Sequence, residues 1–158
     1  MPLPEPTADA REHSDRLAQH IRAEIGERGG WIGFARYMEL ALYAPGLGYY
    51  MAGARKLGRD GDFVTAPEIS ALFGQTLAQQ VAQAMDTGLE EILEIGAGSG
   101  ALAASLLEEL ERLGRLPLRY LILELSADLR QRSRDTLAAR VPHLMPRIAW
   151  LNGLPPAF

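Results

Sequence analysis

A short apolar strand that runs directly into a glycine-rich turn constrains this chain more than any other feature. The letters EIGAGSGA occupy residues 94–101, where a strand predicted over 90–95 meets a helix predicted over 101–113. Glycines at 96 and 98 allow a tight turn and let a ligand approach the backbone with no Cβ in the way. The helix that follows directs its unpaired N–H groups towards that ligand, which favours an anionic group.

The segments after this turn repeat the same alternation. Residues 118–125, LRYLILEL, are almost continuously apolar, as is typical of a strand covered on both faces. A helix is predicted over 127–140 and a third strand over 147–151. This alternation of strands and helices predicts an α/β fold with a parallel sheet and right-handed crossovers. In such sheets, ligands bind at the carboxyl ends of the strands, which is where the glycine turn lies.

The first half of the chain reads differently. Helices are predicted over 9–27 and 33–42 from the spacing of their apolar residues. A glycine-rich stretch over 46–65 predicts an ordered loop, in which Tyr49–Met51 is expected to pair with Phe63–Thr65 as a hairpin.

A helix is predicted immediately after this loop. Thr65 and Glu68 have the spacing of a capping box, in which each side chain bonds to the backbone N–H of the other residue. We therefore expect a helix from Thr65 to about Met85, with Ile69, Leu72 and Phe73 among its core residues. Trp31 and Trp150 are also predicted to lie in the core.

Composition excludes several functional classes. The 158 residues carry 16 basic and 20 acidic side chains, a net charge of −4, so the chain lacks the bulk basic charge of a nucleic-acid-binding domain. Cysteine is absent, which excludes a disulfide framework, a thiol nucleophile and a Cys-based zinc site. The three histidines do not form a metal-ligand pattern. No apolar run approaches the ~20 residues of a membrane helix, and no signal peptide is apparent, so we expect a cytoplasmic protein with no membrane insertion.

Two cofactors compete for the glycine turn. Gly96, Gly98 and Ala101 satisfy the dinucleotide fingerprint, which predicts NAD. Glu94, two residues before the first glycine, instead favours S-adenosylmethionine (SAM), because a carboxylate repels a pyrophosphate but pairs with the ammonium of the methionine moiety. Glu124, near the end of the second strand, is expected to accept hydrogen bonds from ribose hydroxyls of either ligand. The alternatives are a solvated strand end for Glu94 and a helix-capping role near Ser126 for Glu124.

Longer sequence motifs distinguish between protein families better than the glycine turn does. The chain carries LALYAPGLGYYM at 40–51, GRDGDFVTAPEISALFGQTLAQQ at 58–80, EIGAGSGALAASLL at 94–107 and YLILELSADLRQRS at 120–133. In these words it closely resembles the N-terminal part of the MidA-like family of class I SAM-dependent methyltransferases. The resemblance implies a Rossmann-like sheet preceded by an N-terminal helical segment, with residues 1–88 forming the helices and the GDFVTAPE loop and 89–158 the first half of the SAM-binding domain.

The resemblance also implies roles for individual residues. Those expected to line the cofactor are Glu94, Gly96, Ala97, Gly98, Gly100, Glu124 and Thr65, while Asp62 and Glu68 are the candidate catalytic neighbours. Mitochondrial members of the family are complex I assembly factors that methylate arginine, so a protein arginine side chain is the expected substrate.

Family members continue into a fourth strand with an acidic, Asn-Glu-containing word, and we expect this chain to be a truncated, inactive front part of such an enzyme. Without that strand, the segment 90–95 should form an unpaired sheet edge through which the chain self-associates. The alternatives are a non-catalytic binding or assembly module with a partial SAM pocket and an NAD-dependent oxidoreductase.

Overall fold

The structure is a computed structural model that describes residues 5–52 and 64–155. The chain divides into two compact units, Met1–Ala54 and Arg55–Phe158. The division predicted between residues 88 and 89 stays a prediction.

In the described part of the first unit, residues 5–52, two helices form close to the predicted bounds. Helix α1 (Ala8–Glu27) begins at Thr7, whose side chain accepts a hydrogen bond from the Ala10 N–H at 3.2 Å. Helix α2 spans Phe34–Tyr43. An ion pair connects the two helices: the guanidinium of Arg36 on α2 lies 2.9 Å from the Glu24 carboxylate on α1.

The loop after α2 departs from the predictions. Residues Tyr49–Met51 form turns and not a strand, because the N–H groups of Tyr49 and Tyr50 donate to carbonyls of α2. The hairpin half at residue 63 lies outside the described residues. Trp31 is 75% exposed, so the prediction that it belongs to the core is wrong.

Three parallel strands form the sheet of the second unit, in the order β1 (Glu91–Ile95), β2 (Arg119–Leu123), β3 (Ile148–Leu151). Leu93 lies opposite Leu121, which in turn lies opposite Ala149. The predicted α/β fold with a parallel sheet is confirmed. Parallel neighbours bring the carboxyl ends of all three strands to one edge of the sheet.

The predicted continuous helix after residue 65 is wrong. The segment instead forms two helices, α3 (Ala66–Ile69) and α4 (Leu72–Met85). They are separate because the backbone of Ser70 is extended, with φ −155° and ψ 139°. The Ser70 hydroxyl accepts a hydrogen bond from the Leu72 N–H at 3.2 Å and so satisfies a donor at the start of α4.

This break changes which residues of the segment are buried. Ile69 and Leu72 are 74% and 68% exposed and Phe73 is also exposed, so they are not the core residues that the spacing predicted. Farther along α4, Leu77 and Val81 do pack against the core.

Helices α5 (Ala101–Arg112) and α6 (Ala127–Arg140) complete the second unit. A short 3-10 segment, Pro142–Arg147, leads into β3. The core lies between the sheet and these helices, and Trp150 packs against it as predicted. The largest fully buried side chains include those of Tyr120, Leu107, Leu110, Ile122 and Leu137.

Candidate cofactor site

The glycine turn joins β1 to α5 at the carboxyl edge of the sheet. Gly96, Gly98 and Gly100 all have positive φ, at 75°, 56° and 81°. The Gly96 N–H donates to the Leu123 carbonyl at 2.8 Å, which ties the turn to the end of β2. A Cβ placed on Gly96 would meet no atom within 4 Å, so the space beside this residue is available to a ligand. The turn therefore has the shape that a ligand site at this edge requires.

Gly100 has a different reason to be glycine. A Cβ on this residue would lie 2.9 Å from the Ser133 Cα and 3.1 Å from the Ser133 carbonyl oxygen. The close approach of the start of α5 to α6 is therefore possible only without a side chain. Its predicted contact with the methionine end of a cofactor stays a prediction.

Glu124 lies just beyond β2 and is 8% exposed. Its Oε2 accepts a hydrogen bond from the Gly98 N–H at 3.1 Å, and its Oε1 accepts one from the Ser126 N–H at 2.9 Å. The carboxylate thus joins the glycine turn to the start of α6, where the Ser126 side chain caps the helix. A carboxylate offers about four lone-pair sites, so this one retains acceptor capacity for ligand hydroxyls.

Glu94 is not the solvated strand-end carboxylate left open by the sequence. Its Oε2 accepts a hydrogen bond from the Tyr120 hydroxyl at 2.8 Å, and Tyr120 is 1% exposed. Burial raises the pKa of Glu94; the Tyr120 hydrogen bond opposes this rise, and the negative charge of Glu124 adds to it. Burial, together with the charge and the hydrogen bond of Glu94, also holds the pKa of Tyr120 well above its usual value.

Glu68 makes a contact that its position in the sequence did not predict. The Ser99 hydroxyl, in the middle of the glycine turn, donates a hydrogen bond to Glu68 Oε1. The predicted capping box is therefore wrong, since Thr65 occupies the N-cap position but makes no side-chain cap bond and Glu68 is bonded to Ser99. Sequence reasoning gave Ser99 no role, and no local pattern could have paired two residues 31 positions apart.

The other residues predicted to belong to the site, Ala97, Thr65 and Asp62, add little to the description of its geometry. Ala97 is buried within the turn, and Thr65 is exposed. Asp62 lies outside the described residues. Within 5–52 and 64–155, no group of three or more acidic or histidine side chains could hold a metal ion. No helix in that part of the chain is long and apolar enough to cross a membrane.

One opening in this unit lies away from the glycine turn. It has a volume of about 360 Å³ and faces the amino ends of β1 and β2. Its lining combines apolar and charged side chains, among them Met85, Leu89, Glu90, Arg115, Leu118 and Arg147. Because parallel sheets bind ligands at the carboxyl ends of their strands, the position of the turn and not the size of an opening identifies the candidate site.

Comparison with known proteins identifies a family. The model of the family described as "Putative S-adenosyl-L-methionine-dependent methyltransferase" matches residues 72–157. That description names SAM, so it favours SAM over NAD as the ligand of the glycine turn.

Several curated proteins are similar to this chain. The protein arginine methyltransferase NDUFAF7 of Bos taurus is 37% identical over 105 residues, which cover 63% of this chain and 23% of the relative. The Danio rerio protein of the same name is 32% identical over 130 residues, covering 77% and 30%. The Drosophila melanogaster homologue is 35% identical over 113 residues, covering 69% and 25%. This chain therefore spans about a quarter of the length of these relatives.

Two crystal structures from Burkholderia thailandensis have the same fold. A superfamily member bound to S-adenosyl-homocysteine is 53% identical, with a TM-score of 0.91 over 99% of this chain and 42% of that one. A native structure from the same superfamily is 51% identical, with a TM-score of 0.85 over 99% and 40%.

Proposed function

This chain belongs to the family of S-adenosyl-L-methionine-dependent methyltransferases, and from that premise we propose that it binds SAM at the glycine turn and forms part of a protein arginine methyltransferase. The observation that carries the proposal is the position of Glu124. Its buried carboxylate lies at the carboxyl end of β2 and accepts a hydrogen bond from Gly98 of the turn, which supports its proposed role as the acceptor for ribose hydroxyls.

The turn supports the rest of the cofactor. Gly96 borders open space, and α5 begins at the end of the same turn, where the first N–H groups of a helix have no acceptor within the helix. These donors favour the carboxylate of the amino-acid end of SAM. The S-adenosyl-homocysteine bound to the Burkholderia relative supports the same assignment, since that ligand is SAM without its transferable methyl group.

In the proposed reaction, the main task of the protein is to orient the methyl donor and the guanidinium relative to each other. SAM supplies a methyl group on a positively charged sulfur; the S–CH₃ bond breaks as an N–CH₃ bond forms, and the guanidinium nitrogen loses a proton. Carboxylates orient a guanidinium through forked hydrogen bonds, and alignment of the two reactants supplies much of the rate. The NDUFAF7 proteins are named as arginine methyltransferases, which supports arginine as the substrate class.

A second candidate is a non-catalytic module that binds the cofactor. The observation that favours it is the sheet edge, because β1 pairs only with β2 among the described residues and so leaves one side of the carboxyl edge without a neighbouring strand. The inactivity of this chain alone, its cytoplasmic location and its role in assembly stay predictions.

Calorimetric titration tests the cofactor assignment. SAM and S-adenosyl-homocysteine should bind to the wild-type chain, NAD should not bind, and Glu124→Ala should abolish the binding of both SAM-type ligands. Binding of NAD in preference to SAM would refute the proposal.

A second assay separates the enzyme from the binding module. Radiolabelled SAM is incubated with arginine-containing protein, once with this chain and once with the full-length Burkholderia relative. Transfer by the relative and none by this chain is the expected result. Transfer by this chain itself would exclude the non-catalytic module, and transfer by neither would remove the support for arginine as the substrate class.

A further inference from the structure

Two acidic side chains near the glycine turn, Glu68 and Glu94, are held by different hydrogen bonds. We propose that the Glu68 carboxylate, held by the Ser99 hydroxyl at the glycine turn, is the charged partner of the ammonium at the amino-acid end of SAM. This inference rests on the proposed cofactor site.

The contact between Glu68 and Ser99 places a negative charge at the turn itself. Ser99 stands between Gly98 and Gly100, and its hydroxyl donates to Glu68 Oε1 while it accepts from the Ala101 N–H at 3.3 Å. Glu68 is half-buried, and within the described residues its second carboxylate oxygen has no hydrogen-bond partner. One oxygen is thus anchored, and no described residue bonds to the other, which we assign to the ammonium.

Glu94 is oriented differently, although it lies only two residues before the turn. Side chains alternate between the two faces of a strand. The Glu94 side chain points to the face of the sheet that carries Tyr120, and its carboxylate is bonded to that buried hydroxyl. Its neighbour Ile95 points the other way and is 66% exposed. Burial raises the pKa of Glu94 and so disfavours the charged form that an ammonium partner needs.

The chemistry of an amino acid requires both charges in one place. Its carboxylate and ammonium share a single carbon, so a site that takes the carboxylate on backbone N–H groups needs an anion a few ångströms away for the ammonium. The start of α5 provides the N–H groups. Glu68, bonded to the turn that precedes α5, provides the anion.

Two ligands that differ only at this end test the assignment. S-adenosyl-homocysteine carries the amino-acid group, whereas 5′-methylthioadenosine has the same nucleoside and sulfur but no ammonium or carboxylate. Glu68→Gln keeps an oxygen that accepts from Ser99 but removes the charge. We expect it to raise the Kd for S-adenosyl-homocysteine by about tenfold and to leave the Kd for 5′-methylthioadenosine unchanged.

Three further variants complete the experiment. Glu108→Gln is the matched control, since Glu108 lies farther along α5 and is bonded to Arg140; it should leave both affinities unchanged. Ser99→Ala removes the hydroxyl that holds Glu68. It should raise the Kd for S-adenosyl-homocysteine by a smaller factor than Glu68→Gln does. Glu94→Gln should raise the Kd for S-adenosyl-homocysteine less than Glu68→Gln does, since the carboxylate of Glu94 is bonded to Tyr120.

The outcomes are distinct. If Glu68→Gln leaves the affinity for S-adenosyl-homocysteine unchanged, or weakens both ligands equally, the assignment of Glu68 is wrong while the cofactor site stands. If Glu94→Gln gives the larger selective loss, Glu94 is the ammonium partner and the assignment is likewise overturned. If the wild-type chain binds neither ligand, the proposed function itself fails.

Discussion

The carboxylate of Glu124 accepts a hydrogen bond from the backbone N–H of Gly98 at 3.1 Å, across 26 positions of the sequence. Its other oxygen accepts from the Ser126 N–H at 2.9 Å. One buried side chain therefore satisfies backbone donors of both the turn after β1 and the start of α6. Any ligand that binds to Glu124 also acts on the position of the glycine turn.

Glu124→Ala should destabilise the fold as well as remove cofactor binding. Gly98 and Ser126 are buried, so the substitution leaves two N–H groups without their acceptor. An unsatisfied buried donor costs about 1–3 kcal/mol, and we expect a loss of unfolding free energy in that range. Urea denaturation measures it, with Glu108→Ala as a surface control. An unchanged free energy of unfolding would mean that water or another group replaces the carboxylate.

Gly100→Ala should be more destabilising than Gly114→Ala. Both glycines have positive φ, at 81° and 67°, so both substitutions carry the cost of a left-handed residue, roughly 1–2 kcal/mol. Only at Gly100 does the new Cβ meet Ser133, at 2.9 Å, whereas at Gly114 it meets no atom within 4 Å. The difference between the two variants in thermal or urea denaturation therefore measures the close packing of α5 on α6. Equal losses would contradict that packing requirement.

Glu94 should make the fold less stable as pH rises. Burial raises its pKa in the folded state, so the folded chain binds more protons than the unfolded chain between the ordinary pKa of a glutamate and the raised one. Across that window, the contribution of Glu94 to stability falls with increasing pH. Glu94→Gln removes the titration but keeps an acceptor for Tyr120, so the unfolding free energy of the variant minus that of the wild type should grow from about pH 4.5 upwards. A difference independent of pH would show that Glu94 does not titrate abnormally.

Self-association through the edge of β1 stays a prediction, and the structure supplies a variant to test it. Among the described residues, β1 pairs with β2 only, and Ile95 on this strand is exposed. Unpaired strand edges favour association, and a lysine on the edge disfavours it. Light scattering over a dilution series should show a dimer of the wild-type chain. Ile95→Lys should raise the dissociation constant of that dimer. Leu154→Lys, at an equally exposed residue beyond β3, is the control. A wild-type monomer at all concentrations would refute the prediction.

Local patterns were sufficient for the order of the strands and α-helices from β1 onwards. The apolar run at 118–125 predicted β2, and the glycines after residue 95 predicted a tight turn, which the structure forms with positive φ at Gly96, Gly98 and Gly100. Such features depend on residues adjacent in the chain, so they can be recognised without knowledge of the tertiary structure.

Local patterns failed where a distant group competed with a near one. The capping box of Thr65 and Glu68 is a valid local pattern, but a hydrogen bond contributes only about 1 kcal/mol net, and the Ser99 hydroxyl offers Glu68 an alternative partner. The extended conformation of Ser70 then ends α3 after a single turn.

The sequence by itself determined that a glycine turn follows a strand of a parallel sheet, because the backbone conformations of glycine and the spacing of apolar residues are local properties. Only the tertiary structure decided which hydrogen bonds hold the two acidic side chains near the turn. Glu94 and Glu68 are both near the turn, but the packing of β1 against Tyr120 directs the first towards the interior, and the contact with Ser99 holds the second at the turn. The direction of a side chain depends on which face of its strand or helix is buried, and that is settled only when the elements pack together.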